Sequence, residues 1–560
     1  MKKIYLSIVC VGMLVFTACT DFLKEEPKST LPAETFFSSL QTTEAAVNNL
    51  YRAGVNSSSF ISPGVYNGSR YMQGGWSSGL FDNLNYKGQE MYIQWGQQLE
   101  MTPNNVDSRM GELFNPPYEG IYRANVIIDV LPTVDLIKTG ISQADYDRFI
   151  AEARFFRAEN YFYLVRHFGD VPMITEPQSA ADDLKTPKTE TKTIYEQVII
   201  PDLQEAIKTL PVRAQYSNTM RITAPIASAF LIDAYIQMAG FPLNDASKWS
   251  AAATEAKKFL PGGAYSSIYS LENNEDFEEL SAYNKLRSVN VQAASPGGRK
   301  LSSCPEFIYA YEFMPNLSNG GFNANAWPLE VGALGSAECR VTLTNNAYKP
   351  MPRYLAMYDA ANDLRMKERQ FFANSFDKRD GSLMPNPEVN TPSPYFYYDW
   401  GGVKDINTSG RHWAIYRLAE MYLFAAEAIA QTEGVTDQAV DALATIRARA
   451  YEFGDVSKAT IVSQLSGLSK EQFIEQVWLE RYRELVFEWK DWNMIQRTRK
   501  YPKTNAMDAS IPLGTAQFVD ITTVGTGFSG SKLFTVNNLL WPFALQQTQR
   551  NPNLIQNPGY

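Results

Sequence analysis

The sequence has little of what a hydrolytic or metal-dependent enzyme needs. It contains only two histidines, His167 and His412, and none of its four cysteines has a zinc-type spacing. It has no H-E-x-x-H motif, no Walker-type phosphate loop and no EF-hand loop. Its 60 acidic residues outnumber its 51 basic residues, giving a formal net charge of −9. We therefore expect no nucleic-acid partner.

Long apolar runs are also missing, since no run after residue 18 approaches the roughly 20 residues that cross a bilayer. The N-terminus is typical of a secretory signal: two lysines precede an apolar run over residues 4–16. Cys19 follows small residues directly, which resembles the bacterial lipobox, in which the cysteine is acylated after cleavage. We predict a lipoprotein signal peptide over 1–18 and a lipidated, extended tether over 19–43. The alternative is an ordinary signal peptide that contains a cysteine.

Two further cysteines, Cys304 and Cys339, remain once Cys10 has left with the signal and Cys19 is lipidated. Outside the cell these two could form a disulfide, worth roughly 3 to 4 kcal/mol if unstrained. Two free buried thiols are the alternative, and the sequence does not decide between them.

Helical periodicity with small residues beside large ones dominates most of the chain, which predicts an all-α fold of degenerate tetratricopeptide-like helix pairs. Ser142, with Asp145 three residues later, predicts a capped helix start, and Gly169 ends that helix. Thr223 is predicted as the N-cap of another helix. The predicted helices lie at about 118–131, 142–168, 194–210 (interrupted at Pro201), 224–239, 247–260, 413–432, 436–451 and 471–499.

Two segments, 55–110 and 262–410, interrupt this pattern and are rich in Gly, Asn, Ser, Pro and aromatic residues. We predict that they are long irregular insertions in a single domain over 44–560, and such loops often carry function. Aromatic residues make up 13% of the chain. Many must be core, but rings flanked by glycine or serine are candidates for ligand contact. The predicted ligand-binding residues are Tyr71, Trp76, Asp82, Trp95, Asn323, Asn325 and Trp327.

The motifs that would indicate catalysis are poorly supported in this sequence. Residues 75–79 match the G-x-S-x-G nucleophile elbow, but no strand-like segment precedes them and histidines are scarce. The acidic cluster Glu480, Glu484 and Glu488 alternates with basic residues at helical spacing, which we interpret as a salt-bridged helix surface. We predict no enzymatic activity. A surface glycoside hydrolase is the alternative, because it needs only two carboxylates.

Five segments behind the lipobox carry a recognisable order of motifs. They are Phe168 to Pro172, Tyr195 to Pro211, Arg221 to Ala227, the E-R-x-x-E-L-x-F-E pattern of residues 480–488, and the closing stretch from Asn551 to Tyr560. Taken in this order, they resemble the SusD/RagB family of Bacteroidota outer-membrane nutrient-binding lipoproteins. The chain departs from the family pattern at Trp489, where Gly is usual, at Asp491 and Met494, where Arg and Asp are usual, and at Ala544, where a proline is usual. These four positions look structural.

The resemblance implies a SusD-like superhelix with ligand-binding loop insertions and no catalysis. It implies a glycan-binding lipoprotein, anchored in the outer membrane and facing the exterior, that serves a SusC-like TonB-dependent transporter. The RagB branch of the family makes peptide uptake an alternative, and a purely scaffolding role would leave the aromatic loops unexplained. No cofactor is predicted, and the sequence decides neither the ligand nor whether calcium binds. The loops at 55–117 and 241–410 do not match by motif, so family membership transfers no ligand contacts.

Overall fold

The protein is represented by a computed structural model that describes residues 36–57, 75, 77–82, 107–178, 185–213, 221–289, 304–312, 349–377, 380–385, 392–397, 412–525 and 533–560. Helices dominate these residues, as the all-α prediction expected. The principal helices are α1 (Leu40–Leu50), α2 (Asp107–Val130), α3 (Gln143–Phe168), α4 (Ile200–Thr209), α5 (Ala224–Ala239), α6 (Lys248–Ala256), α7 (Leu418–Glu433), α8 (Asp437–Tyr451), α9 (Lys458–Ser466), α10 (Lys470–Glu484) and α11 (Asp491–Thr498).

Short antiparallel strand pairs complete the described part of the fold. They are β1 (Phe81–Asp82) with β5 (Lys349–Pro350), β2 (Val171–Pro172) with β3 (Lys188–Thr189), β4 (Phe307–Tyr311) with β10 (Trp413–Arg417), β6 (Phe372–Ala373) with β9 (Ser393–Pro394), β7 (Ser375–Asp377) with β8 (Leu383–Pro385), and β11 (Lys500–Lys503) with β12 (Gln517–Asp520).

The helices pack one on the next in a continuous series. Helix α2 packs on α3, α3 on α4, α4 on α5 and α5 on α6. Helix α6 then packs directly on α7, although the whole 262–410 segment lies between them in the chain. That segment is therefore an excursion between two neighbouring helices, as an insertion should be. One hydrophobic cluster runs from Phe37 to Leu554, and the domain boundaries proposed from the sequence remain predictions.

Capping residues account for the helix ends that the sequence predicted well. The Ser142 hydroxyl accepts a hydrogen bond from the Asp145 backbone N–H at 3.1 Å, and Gly169 ends α3 with φ +71°. Helix α5 has the predicted bounds, Ala224–Ala239. Thr223 occupies its N-cap position, but the Thr223 side chain makes no capping hydrogen bond. Proline in the first turn of α5 removes one N–H that would otherwise need a partner.

Three predicted helices differ from the structure. Residues 413–417 form strand β10, and all five are buried. The run from Trp413 to Tyr416 is apolar throughout, so it shows no period that separates strand from helix. The predicted helix 471–499 is two helices, because the chain turns between Glu484 and Asp491. The predicted interruption at Pro201 is wrong, since a π-helical turn over Tyr195–Ile199 leads into α4 and the proline sits in the first turn of α4.

The start of the first insertion is held tightly against α3. Gly54 has φ +63°, and a Cβ at this position would lie 2.1 Å from the Asn160 Oδ1 atom, so only glycine fits. The same Oδ1 atom accepts a hydrogen bond from the Val55 backbone N–H at 3.0 Å. Next to it, the Asn56 side-chain amide donates to Glu159 Oε2 at 2.6 Å.

Glu159 is a buried acid with a perturbed pKa. Burial raises the pKa of Glu159 to about 8, although hydrogen bonds from Asn56 and Tyr309 and the charge of Arg166 oppose the rise. The folded protein therefore holds a proton on Glu159 that the unfolded chain releases above its ordinary pKa of 4.5. This carboxyl group stabilises the fold in its protonated form, and that contribution is lost as the pH rises towards 8.

We expect Glu159→Gln to remove this pH dependence, because glutamine resembles the protonated acid and cannot ionise. Between pH 5 and pH 8 the free energy of unfolding of the variant should gain about 2 to 4 kcal/mol relative to wild type, at roughly 1.4 kcal/mol per pKa unit. Urea denaturation at several pH values measures the difference, with Glu205→Gln on the exposed face of α4 as control. Parallel pH profiles of wild type and Glu159→Gln would contradict the assignment.

Candidate ligand-binding site

The structure describes little of the predicted ligand-binding set directly. Only Asp82 falls within the described backbone, in β1, where it pairs with Lys349. Cys304 is buried, but Cys339 lies outside the described residues, so the disulfide stays a prediction. The other predicted positions outside the described residues are Cys19, Tyr71, Trp76, Trp95, Asn323, Asn325 and Trp327.

The two insertions contact each other through residues that the structure describes. Strand β1 of the first insertion pairs with β5 of the second, with Phe81 opposite Pro350. The Met351 backbone N–H extends this contact by donating to the Leu80 carbonyl at 2.9 Å. At the start of the first insertion, the Tyr311 hydroxyl of β4 donates to the Asn56 carbonyl at 3.1 Å. Two independent contacts thus join chain segments that are far apart in the sequence.

A layer of buried aromatic rings supports this junction. The Phe81 ring centroid lies 4.9 Å from that of Tyr354 and 5.8 Å from that of Trp489. Phe487 stacks on Phe396 at 5.8 Å. The aromatic residues of the second insertion that lie in this layer are buried, and they are Tyr354, Tyr358, Phe371, Phe372, Tyr395 and Phe396. Part of the aromatic excess is therefore core, and these rings are not available to a ligand.

Trp489 links the first insertion to β10 of the scaffold. Its backbone has φ +58°, a left-handed conformation that glycine adopts without strain, and glycine is the residue usual in the family pattern. Its ring is 3% exposed and makes edge contacts with Phe81 and with Trp413 of β10. Favourable ring packing in the core offsets the backbone strain.

The other departures from the family pattern are buried as well. Asp491 opens α11, and burial raises its pKa well above the ordinary value, while Arg481 opposes the rise. The Met494 sulfur lies 3.2 Å from Arg481 Nε and 3.2 Å from an Arg497 guanidinium nitrogen. Ala544 is 1% exposed. These contacts are structural, as the sequence interpretation expected.

The acidic cluster at the end of α10 is not a helix surface, and that interpretation was wrong. Glu480 and Glu484 are fully buried and Glu488 is 1% exposed, and their main partners lie on other elements. Such partners in distant segments leave no trace in local spacing. The ion pairs are Glu480 with Arg365 (2.8 Å) and Arg447 (2.9 Å), Glu484 with Arg449 (2.6 Å), Arg417 (3.1 Å) and Arg365 (3.1 Å), and Glu488 with Arg417 (2.6 Å).

Glu306 completes this buried network from the residue before β4. Arg449 and Arg417 pair with it at 2.5 and 2.6 Å. Burial alone would raise the pKa of Glu306, but the two arginines outweigh burial and hold the pKa below its ordinary value. A paired, inaccessible carboxylate of this kind stabilises structure and is unsuited to protonating a substrate.

The G-x-S-x-G match also lacks catalytic geometry. Ser77 and Ser78 are 3% and 0% exposed, and the Ser78 hydroxyl donates to the Gly75 carbonyl at 2.6 Å. His167 lies between the rings of Tyr163 and Trp541, at centroid distances of 4.3 and 4.4 Å. Burial lowers the pKa of His167 to about 3. His167 is thus an uncharged histidine packed in the core, and these contacts need no catalytic explanation.

Two further searches cover only the part of the chain that the structure describes. Within it, no group of three or more His, Cys, Asp or Glu side chains could hold a metal ion. Nor does any helix there combine the length and apolar character needed to cross a bilayer.

Comparison with known proteins gives matches at both ends of the chain. Residues 390–560 match a family model described as "SusD family". Residues 21–236 match one described as "Starch-binding associating with outer membrane". Among curated proteins, the chain is 26% identical to the SusD-like protein P2 of Formosa agariphila, over 100% of both chains.

Solved structures show the same fold. A SusD superfamily protein from Parabacteroides distasonis superimposes with a TM-score of 0.74 at 24% identity, covering 95% of this chain and 100% of the other. Surface glycan-binding protein A from Bacteroides thetaiotaomicron, in complex with laminarihexaose, gives a TM-score of 0.64 at 15% identity, over 93% and 99% of the two chains.

We expect Trp489→Gly to destabilise the protein even though it relieves backbone strain. Emptying a buried tryptophan site costs about 3 to 5 kcal/mol, whereas removing the left-handed strain returns roughly 1 to 2 kcal/mol. The net loss of about 1 to 4 kcal/mol can be measured by urea denaturation. Trp489→Phe, which keeps a ring beside Phe81, should lose less. A glycine variant as stable as wild type would show that this ring does not anchor the insertions.

Proposed function

Because this chain belongs to the SusD/RagB family, we propose that it is a non-catalytic cell-surface protein that binds glycans and delivers them to a SusC-like TonB-dependent outer-membrane transporter. The two matching family descriptions support this proposal, and neither describes an enzyme. Structural neighbours whose names state a glycan, laminarin or laminarihexaose, support the ligand class.

The observation that carries the ligand proposal is the pairing of β1 with β5. Trp76 lies five residues before β1 in the sequence, and Trp327 lies between β4 and β5. The pairing joins one described strand from each of the two insertions that contain the predicted rings, which supports a ligand site in these insertions. Sugars present C–H faces that pack on aromatic rings, while Asn and Asp side chains can bind their hydroxyl groups.

The location follows from the predicted lipid anchor. Acylation of Cys19 would attach the protein to the outer membrane without a membrane-spanning segment, since buried acyl chains contribute about 0.8 kcal/mol per methylene. The predicted tether over 19–43 extends too far, because Phe37 is buried in the core and α1 begins at Leu40. The part of the tether before Phe37 would leave the folded part beside a transporter. The helical series offers that transporter a long surface, as stacked helix pairs do.

The first experiment identifies the ligand class. The purified protein is applied to a glycan array and, in parallel, to a peptide library. Binding to glycans supports the proposal, and binding to peptides alone would replace it with RagB-like peptide uptake. Release of reducing ends from any bound polysaccharide would instead indicate a glycoside hydrolase.

We expect Trp76→Ala, Trp95→Ala or Trp327→Ala to weaken binding of the identified glycan by about 1 to 3 kcal/mol without lowering the melting temperature. The lost contact is local, so the helical core should be unaffected. Isothermal titration beside a thermal melt measures both quantities. Tyr122→Ala, an exposed ring on α2, is the matched control. If all three tryptophan variants bind like wild type, the loop rings are structural.

The delivery half of the proposal predicts a stable complex in the membrane. Affinity purification from mildly solubilised membranes should recover a TonB-dependent transporter together with the protein. An unrelated lipoprotein carrying residues 1–43 of this chain controls for proteins that merely share the membrane. Recovery of the protein alone in several mild detergents would contradict the partnership.

A further inference from the structure

A cavity of about 640 Å³ opens at the corner between α8 and α9. Its walls come from the end of α8, the turn into α9 and the residues near Glu272 that begin the second insertion. None of the residues predicted to bind ligand lines it. The charged side chains that line it are Glu272, Arg449, Glu452, Asp455 and Lys458.

Two exposed phenylalanines stand beside this cavity. Phe453 lies between Glu452 and Gly454, which both line the cavity, and its ring contacts Phe277 edge-on at 5.9 Å and 69°. Phe277 is 55% exposed and Phe453 is 48% exposed. Large apolar side chains exposed together mark a surface that is available to a binding partner. Here they lie beside a cavity that charged and apolar side chains line together, and we call them its phenylalanine rim.

The polar groups of the cavity are held in place. The Asn274 amide donates to Glu452 Oε2 at 2.7 Å and to the Arg449 carbonyl at 2.9 Å. The Asp455 backbone N–H donates to Asn362 Oδ1 at 3.2 Å, which fixes the turn that presents the Asp455 carboxylate. Arg449 is 7% exposed, and its guanidinium donates to Glu306 Oε2 at 2.5 Å and to Glu484 Oε1 at 2.6 Å, so ion pairs hold it in place.

The charge of the lining selects the ligand class. The positive charge of Arg449 is already neutralised by Glu306 and Glu484, and Lys458 pairs with Asp441 at 2.7 Å. Glu452 and Asp455 leave the cavity with net negative charge. Uronates and sulfated sugars would be repelled, whereas neutral sugars donate hydroxyl hydrogen bonds to carboxylates.

We propose that this cavity, with the Phe277–Phe453 rim, is a second glycan-binding site that takes neutral sugars. The inference rests on the proposed function, because it assigns a second contact for the same class of ligand. One sugar ring would pack on the phenylalanine rim and place its hydroxyl groups against Glu452 and Asp455. A second contact on one polysaccharide raises the apparent affinity for long chains through effective concentration.

The test uses the mature protein and the variant Trp76→Ala/Trp95→Ala/Trp327→Ala, which lacks the predicted loop rings. Isothermal titration with maltohexaose and laminarihexaose as neutral probes, and with hexagalacturonate as the anionic probe, measures what binding remains. We expect this variant to retain weak binding of a neutral probe and none of hexagalacturonate. Adding Phe277→Ala and Phe453→Ala should lower that remaining affinity at least about tenfold, the effect of one lost ring contact.

Tyr122→Ala added to the same variant is the control and should change nothing, and thermal melts confirm that each variant folds. If the loop-ring variant retains no neutral-glycan binding, or retains binding that the phenylalanine substitutions leave unchanged, the second site is overturned while the proposed function stands. If the wild-type protein binds no glycan on the array, the proposed function fails, and the second site fails with it.

Discussion

The fold depends on a buried set of arginine–carboxylate pairs at its centre. Arg417, at the start of α7, and Arg449, on α8, both pair with Glu306 and Glu484. Removing one partner of a buried pair costs about 3 to 5 kcal/mol, because it leaves an uncompensated charge. The pairs therefore fix α7, α8 and α10 relative to one another. They also fix β4, since Glu306 immediately precedes it, and through β4 the start of the first insertion.

Local sequence signals account for most of the helices, and long-range contacts account for what they missed. Ser142, Gly169 and the first-turn proline of α5 act within a few residues of the helix ends they set. Strand β10 could not be predicted in this way, because its partner β4 lies more than 100 residues earlier. The turn between α10 and α11 contains Trp489 in a glycine-like conformation, and the Trp489 ring packs on rings from other segments.

The same distinction between local signals and long-range contacts applies to the candidate site. The sequence predicted ligand residues in two insertions, and the structure joins described strands of those insertions through β1 and β5. No local pattern predicts that pairing, since two residues from each strand are too few to carry a period. The surface assigned to Glu480 and Glu484 was wrong for the related reason that spacing shows a helix face but not what covers it.

What covers a ring decides its role in a chain this rich in aromatic residues. Phe81, Phe487 and Trp489 have ring neighbours on several sides and almost no exposed surface, so their contribution is to stability. Phe277 and Phe453 contact each other but keep about half of their surface in water. Exposing apolar surface costs roughly 25 cal/mol per Å² relative to burying it. A pair kept exposed beside a cavity is therefore better explained by a ligand than by folding. For each tryptophan of the loops, too, a role in binding requires a ring that the rest of the protein leaves exposed.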